Sequence, residues 1–122
     1  MKKLTRKEEE LMKILWQIKE GFVKDIAEFY ADPKPHYNTI SSLVRQLEEK
    51  GYIDHKAYGN THQYFPIISK QAYRKTFIKD VVKDYFDNSY KQTVSLFIEE
   101  ENLSKEDLDE LIELIKSKKQ QQ

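Results

Sequence analysis

Apolar residues recur along this chain at the i, i+3, i+4, i+7 spacing of a half-buried helix. Leu11, Ile14, Leu15 and Ile18 fit it, then Val23, Ile26, Ala27 and Tyr30, then Ile40, Leu43, Val44 and Leu47. Three short helices in succession are predicted. Thr5 opens the first, because its hydroxyl can accept from a backbone N–H while Glu8 reaches back to it, with Leu4 placed as a staple. Gly21 is expected to end that helix, the run Asp32-Pro33-Lys34-Pro35 to stop the second, and Gly51 to close the third as a left-handed cap.

After Gly51 the period changes. Residues 52–57 and 62–67 read as two strands around the polar turn Tyr58-Gly59-Asn60-Thr61, a β-hairpin whose second strand is set at an edge by Pro66. From Ser69, an N-cap, a fourth helix carries Ile78, Val81, Val82, Tyr85 and Phe86 and breaks near Asp87-Asn88-Ser89. A fifth holds Val94, Phe97 and Ile98. Ser104 with Asp107 starts a sixth, bearing Leu108, Leu111, Ile112 and Ile115.

The fold class expected is mostly α with a small β-hairpin wing. Residues 1–69 follow the order of a winged helix-turn-helix, helix, helix, turn, helix, hairpin, in which the third helix enters the DNA major groove. Residues 70–122 are a set of helices too small to bury their own stripes. A second copy is their simplest partner, so Ile78, Val81, Val82, Tyr85, Phe97, Leu108, Leu111, Ile112 and Ile115 are the candidate residues of a homodimer interface.

The outer face of the third helix is where candidate chemistry lies. Opposite the stripe at Ile40, Leu43, Val44 and Leu47 stand Asn38, Ser42, Arg45 and Glu49, with Ser41 and Gln46 on the flanks. A merely solvated helix favours Glu and Lys, whereas short polar side chains permit close approach to base edges. Arg45 can pair with guanine and Asn38 with adenine, and Thr39, Ser41 and Ser42 join them as candidate DNA contacts. Around the hairpin tip, Lys56 and His62 are candidate phosphate contacts. Asn60 and Thr61 are further candidate DNA contacts at the turn, though Asn60, like Gly59, serves turn chemistry at least as readily.

Composition complicates this reading. The 122 residues hold 21 Lys+Arg against 21 Asp+Glu, and a net charge of zero argues mildly against DNA, since phosphate neutralisation supplies most non-specific affinity. Split at residue 70, the first part carries 12 basic and 10 acidic residues and the second 9 and 11, so the halves stand at +2 and −2. Placement matters more. The first turns of the third helix hold no acid, while eight acids crowd positions 99 to 113, the wet face of the expected dimer helices. A neutral binder is expected to make few phosphate contacts and to depend on dimerisation.

Other classes find little support. No cysteine is present, which removes disulfides and thiolate metal sites, and His36, His55 and His62 lack metal-ligand spacing, so no metal or cofactor is expected. Glycines at 21, 51 and 59 make no phosphate loop, and nothing sets up a catalytic triad, so the chain is not expected to be an enzyme. Charges interrupt every apolar run near the N-terminus, so a cytoplasmic protein without a membrane span is expected. The alternative reading is a winged-helix protein-interaction module without specific DNA binding, which moderate salt would barely weaken.

The segments LTRKEEELMKILW, NTISSLVRQLEEKGYIDHKAYGNTHQYFP and FIEEENLSKEDLDELIELI resemble the penicillinase and methicillin-resistance repressor (BlaI/MecI) family over about Leu4 to Lys116. Thr39-Ile40, the stretch from Leu47 to Lys56, and Gln63-Tyr64 carry the most specific similarity. The resemblance implies a homodimeric winged-helix repressor of palindromic double-stranded DNA operators that pairs through its C-terminal helices. It also implies a regulatory protease as partner, since repressors of this kind are inactivated at an Asn-Phe bond. Here Phe97 aligns with the Phe, but Leu96 stands in place of Asn, which counts against cleavage at that bond. The copper-responsive branch of the family carries cysteine motifs that this chain lacks.

Overall fold

Thr5 starts the first helix as its sequence dictates. Its Oγ1 accepts from Glu8 N (3.2 Å), and Glu8 Oε1 accepts from Thr5 N (2.8 Å), so two otherwise orphaned donors are satisfied reciprocally. The structure, a computed structural model, describes residues 2–101 and 104–120, apart from the side chains of residues 101, 111, 115 and 118–120. In chain order it contains α1 (Arg6–Ile18), α2 (Val23–Glu28), α3 (Tyr37–Glu49), β1 (Ile53–Tyr58), β2 (Thr61–Pro66), α4 (Lys70–Phe86), α5 (Tyr90–Glu101) and α6 (Lys105–Gln120). Three helices followed by an antiparallel hairpin make a winged helix, and three further helices follow it.

The chain forms two compact units, Met1–Phe77 and Ile78–Gln122. In the first, Leu11, Met12 and Leu15 of α1, Ile26 of α2, and Ile40, Val44 and Leu47 of α3 close over Tyr52 and Ile53 to make the core. Each large side chain there contributes about 1.5–3 kcal/mol by leaving water. Truncating fully buried Leu47 to Ala removes that and opens a cavity, at a cost of about 2–5 kcal/mol.

The end of α3 is a Schellman motif. Gly51 takes φ +81, Gly51 N donates to Glu48 O (3.0 Å) and Tyr52 N to Leu47 O (3.0 Å). Tyr52 is spent on this cap and on the core, which is why β1 begins at Ile53 and not at residue 52 as predicted. The hairpin pairs Ile53 with Pro66 through Tyr58 with Thr61, around Gly59-Asn60.

Two expectations about glycine and proline need correction. Lys19, with φ 74, caps α1, and Gly21 instead pairs with Tyr64 through two 2.9 Å backbone hydrogen bonds. A Cβ on Gly21 would lie 2.9 Å from Ile18 Cδ1, the far end of a side chain that would have to turn aside. The isolated bridge from Gly21 flanks β2 at Tyr64, while the sheet itself has two strands and Pro66 lies at an edge as expected. The second helix also ends earlier than its apolar stripe suggests. It stops at Glu28, and Tyr30 reaches the core from the loop that follows.

The first two turns of α4 belong to the first unit. Trp16 Nε1 donates to Ile68 O (2.9 Å), the Trp16 and Tyr73 rings lie 5.5 Å apart, and Tyr73 Oη donates to Glu9 Oε2 (2.6 Å). Burial, then the Glu9 bond, pushes the Tyr73 phenol above its ordinary pKa, so it remains a donor.

In the second unit Ser104 caps α6 as predicted, and Ser89, read only as part of a helix break, caps α5. Ser89 Oγ accepts from Gln92 N and Ser104 Oγ from Asp107 N, each at 3.1 Å, while Asp87 and Asn88 turn the chain at positive φ. Among the described side chains of this unit, Val82 and Thr93 are buried. Ile78, Tyr85, Val94, Leu96, Phe97 and Ile112 remain exposed. Among the described residues no helix is long and apolar enough to cross a membrane.

Candidate nucleic-acid interface

The helix α3 presents its two faces as its periodicity requires. Ile40, Leu43, Val44 and Leu47 are buried, and Asn38, Ser42, Arg45, Gln46 and Glu49 are exposed. His36 caps the helix, its Nδ1 accepting from Asn38 N (3.1 Å). Arg45 Nε donates to Ser41 O (3.2 Å), which steadies the guanidinium along the helix and uses one of its five donors.

A cleft of about 490 Å³ runs between the start of α2, the first turns of α3 and the wing tip. Its walls are Phe22, Val23, Lys24, Tyr37, Ser41, Asn60, Thr61, His62 and Tyr64. Of the residues singled out in the sequence, Ser41, Asn60, Thr61 and His62 are thus brought together. Lys24 and Tyr37 join them unforeseen. Tyr37 is 57% exposed, an unusual position for a large aromatic ring, and Lys24 is exposed beside the inward-turned Val23 and Ile26.

Two predicted contacts lie elsewhere. Strand alternation sets His55, Tyr64, Ala57 and His62 on one face of the hairpin and Lys56 with Gln63 on the other. Lys56 Nζ stands 5.9 Å from the centre of the Phe65 ring, beside a hollow that also touches Trp16 and Lys19. Thr39 is half-buried and lines a separate cavity of about 180 Å³ with Lys7, Tyr30 and Leu43.

Electrostatics at the far end of α3 are set by the turn into β1. Glu48 Oε1 is hydrogen-bonded to His55 Nδ1, and the His55 ring stacks on His62 at 4.0 Å and 8°. Burial first, and then the nearby Glu48 carboxylate, raises the pKa of Tyr64, while Arg45 opposes the shift. Tyr64 therefore stays a neutral phenol beneath the cleft. Glu48 is occupied within the fold, and Glu49 remains exposed.

Of the candidate interface residues in the second unit, Ile78, Tyr85, Phe97 and Ile112 are exposed, Val81 and Leu108 are half-buried, and Val82 is already buried within the single chain. The side chains of Leu111 and Ile115 lie outside the described residues. Leu96 and Phe97 both lie within α5, at 42% and 51% exposure.

Comparison with known proteins agrees with this geometry. A family model described as penicillinase repressor matches residues 4–117. The methicillin resistance regulatory proteins MecI of Mammaliicoccus sciuri and of Staphylococcus aureus (strain N315) are each 26% identical over 118 residues, or 94% of this chain and 94% of theirs. The penicillinase repressor of Bacillus licheniformis is 24% identical over 115 residues, covering 90% of this chain and 87% of its own.

Proposed function

The chain belongs to the penicillinase repressor family, and from that premise we propose that it is a homodimeric, sequence-specific repressor that occludes a two-fold symmetric DNA operator. Membership itself supports a transcriptional repressor. The observation that carries the finer reading is the outer face of α3, where Asn38, Ser42 and Arg45 are exposed directly opposite a fully buried apolar stripe.

In this reading α3 lies in the major groove. Arg45 pairs with a guanine edge, Asn38 with adenine, and Ser42 and Ser41 allow close approach. The cleft beside it takes a stretch of sugar-phosphate backbone, with Lys24 supplying charge and Tyr37, Thr61 and His62 supplying hydrogen bonds. Asn60 shapes the tip. Lys56 stands on the outer face of the wing and contributes through the general field.

Two copies pair through the exposed apolar residues of the second unit, Ile78, Tyr85, Phe97 and Ile112 among them. Each head contributes few cations, in keeping with +2 over residues 1–70, so tight binding depends on two half-sites engaged together.

Binding to the DNA upstream of the protein's own gene, at two salt concentrations and against a scrambled duplex, tests the proposal. A specific complex that weakens log-linearly with salt supports it. Equal affinity for both duplexes, or no response to salt, overturns it.

A further inference from the structure

We infer that Glu48, Asp54 and His55 form a binding site for one divalent transition-metal ion per protomer, of the Zn²⁺ type. Linear spacing conceals this grouping, because Glu48 ends α3 while Asp54 and His55 stand on β1. The Schellman turn at Gly51 folds β1 back beside the last turn of α3, and the buried pair Tyr52 and Ile53 fixes that return.

The donor atoms offered, one imidazole nitrogen and two carboxylate oxygens, all lie within 4.8 Å of one another. His55 Nδ1 is hydrogen-bonded to Glu48 Oε1 and lies 3.9 Å from Asp54 Oδ1. Metal bonds of about 2.0–2.2 Å hold ligand atoms no more than about 4.4 Å apart. Asp54 Oδ1 accepts from His55 N (2.8 Å), so the remaining closure requires the 58% exposed Asp54 side chain to rotate and give up or share that bond.

A second observation supports the site independently. The His55 ring is held from behind, stacked on His62 at 4.0 Å and tilted against Tyr64 at 5.9 Å, with Nδ1 directed at the carboxylates. These ring contacts restrict how the imidazole can turn and keep Nδ1 presented to the carboxylates. Imidazole with carboxylates selects Zn²⁺-type ions over Ca²⁺, which takes oxygen ligands, and the exposed side of the site leaves room for water to complete the coordination. On binding, the ion takes the place of the hydrogen bond between His55 and Glu48, with Nδ1 and Oε1 both turned to it. The ion then clamps the last turn of α3 to the first strand of the wing.

Titration of the full-length chain with zinc chloride, without DNA, tests the site separately from the repressor reading. Calorimetry should give one ion per protomer. His55→Ala and Asp54→Asn should each weaken binding on the order of tenfold or more, while His36→Ala leaves it unchanged. Asp54 is exposed, so that variant is expected to fold as wild type does. Absence of saturable binding, equal binding by all three variants, or Ca²⁺ binding as well as Zn²⁺ would overturn the proposal.

Discussion

The Lys50 ammonium lies 2.6 Å from the Glu8 carboxylate, which is 1% exposed, and so fastens the end of α3 to the first turn of α1. Burial pushes the Glu8 carboxyl up, but the hydrogen bonds from Lys50 and Thr5 outweigh it, leaving the group below its ordinary value of 4.5. A depressed carboxyl adds stability above the unfolded-state pKa and loses it as pH falls through the folded one. Urea melts should show wild-type stability flat near neutrality and declining below about pH 4.5. Glu8→Gln should cost about 1.5–3 kcal/mol at pH 7 and flatten this acid slope. An unchanged slope would show that Glu8 contributes nothing to it.

Arg45→Ala should reduce operator affinity by about 1–3 kcal/mol and relax the preference at one base position in each half-site. Gel-shift titration against a set of single-base operator variants measures both effects. Retention of affinity and preference together would remove Arg45 from base readout.

The two faces of the wing give a sharper test. Lys24→Ala should weaken binding to every sequence alike and lower the salt slope by about 1, as loss of a phosphate contact does. Lys56→Ala, on the opposite face from the cleft, should alter the slope less. The reverse ranking would mean that the outer face of the wing meets the DNA.

Phe97→Glu and Ile112→Glu place a charge on exposed apolar positions of the second unit. Sedimentation should find monomers at concentrations where the wild type is dimeric, with operator binding lost in parallel. Melting of the first unit should be unaffected. Wild-type monomers at micromolar concentration would contradict the dimer outright.

What could be read from sequence was what is settled within one helical turn or one period. The Thr5–Glu8 capping box, the buried stripe of α3, the left-handed Gly51 and the Ser69, Ser89 and Ser104 breaks all arise from neighbours in the chain. The misread features depend on distant partners. Gly21 reads as a helix stop until Tyr64 supplies a backbone to pair with, and Tyr30 fits a helical stripe although it reaches the core from a loop. The hairpin keeps its expected register, Ala57 opposite His62, and only its strand bounds move by one residue; that Lys56 faces away from the cleft shows only once the helices are packed against the other face. Tyr37 and Lys24 went unnoticed because neither belongs to a motif; only the cleft joins them to Ser41 and His62.

The bond from Trp16 to Ile68, with Tyr73 packed beside it, closes the first unit before α4 has run half its length. A cut beyond residue 77 would therefore leave each reading head folded and chemically complete. What it would lose is valency: once one head of a dimer is seated, its twin meets the second half-site at a high effective concentration, and severed heads meet it only at their bulk concentration. Repression in such a protein can be switched off by removing connectivity alone, with every DNA-contacting side chain left in place.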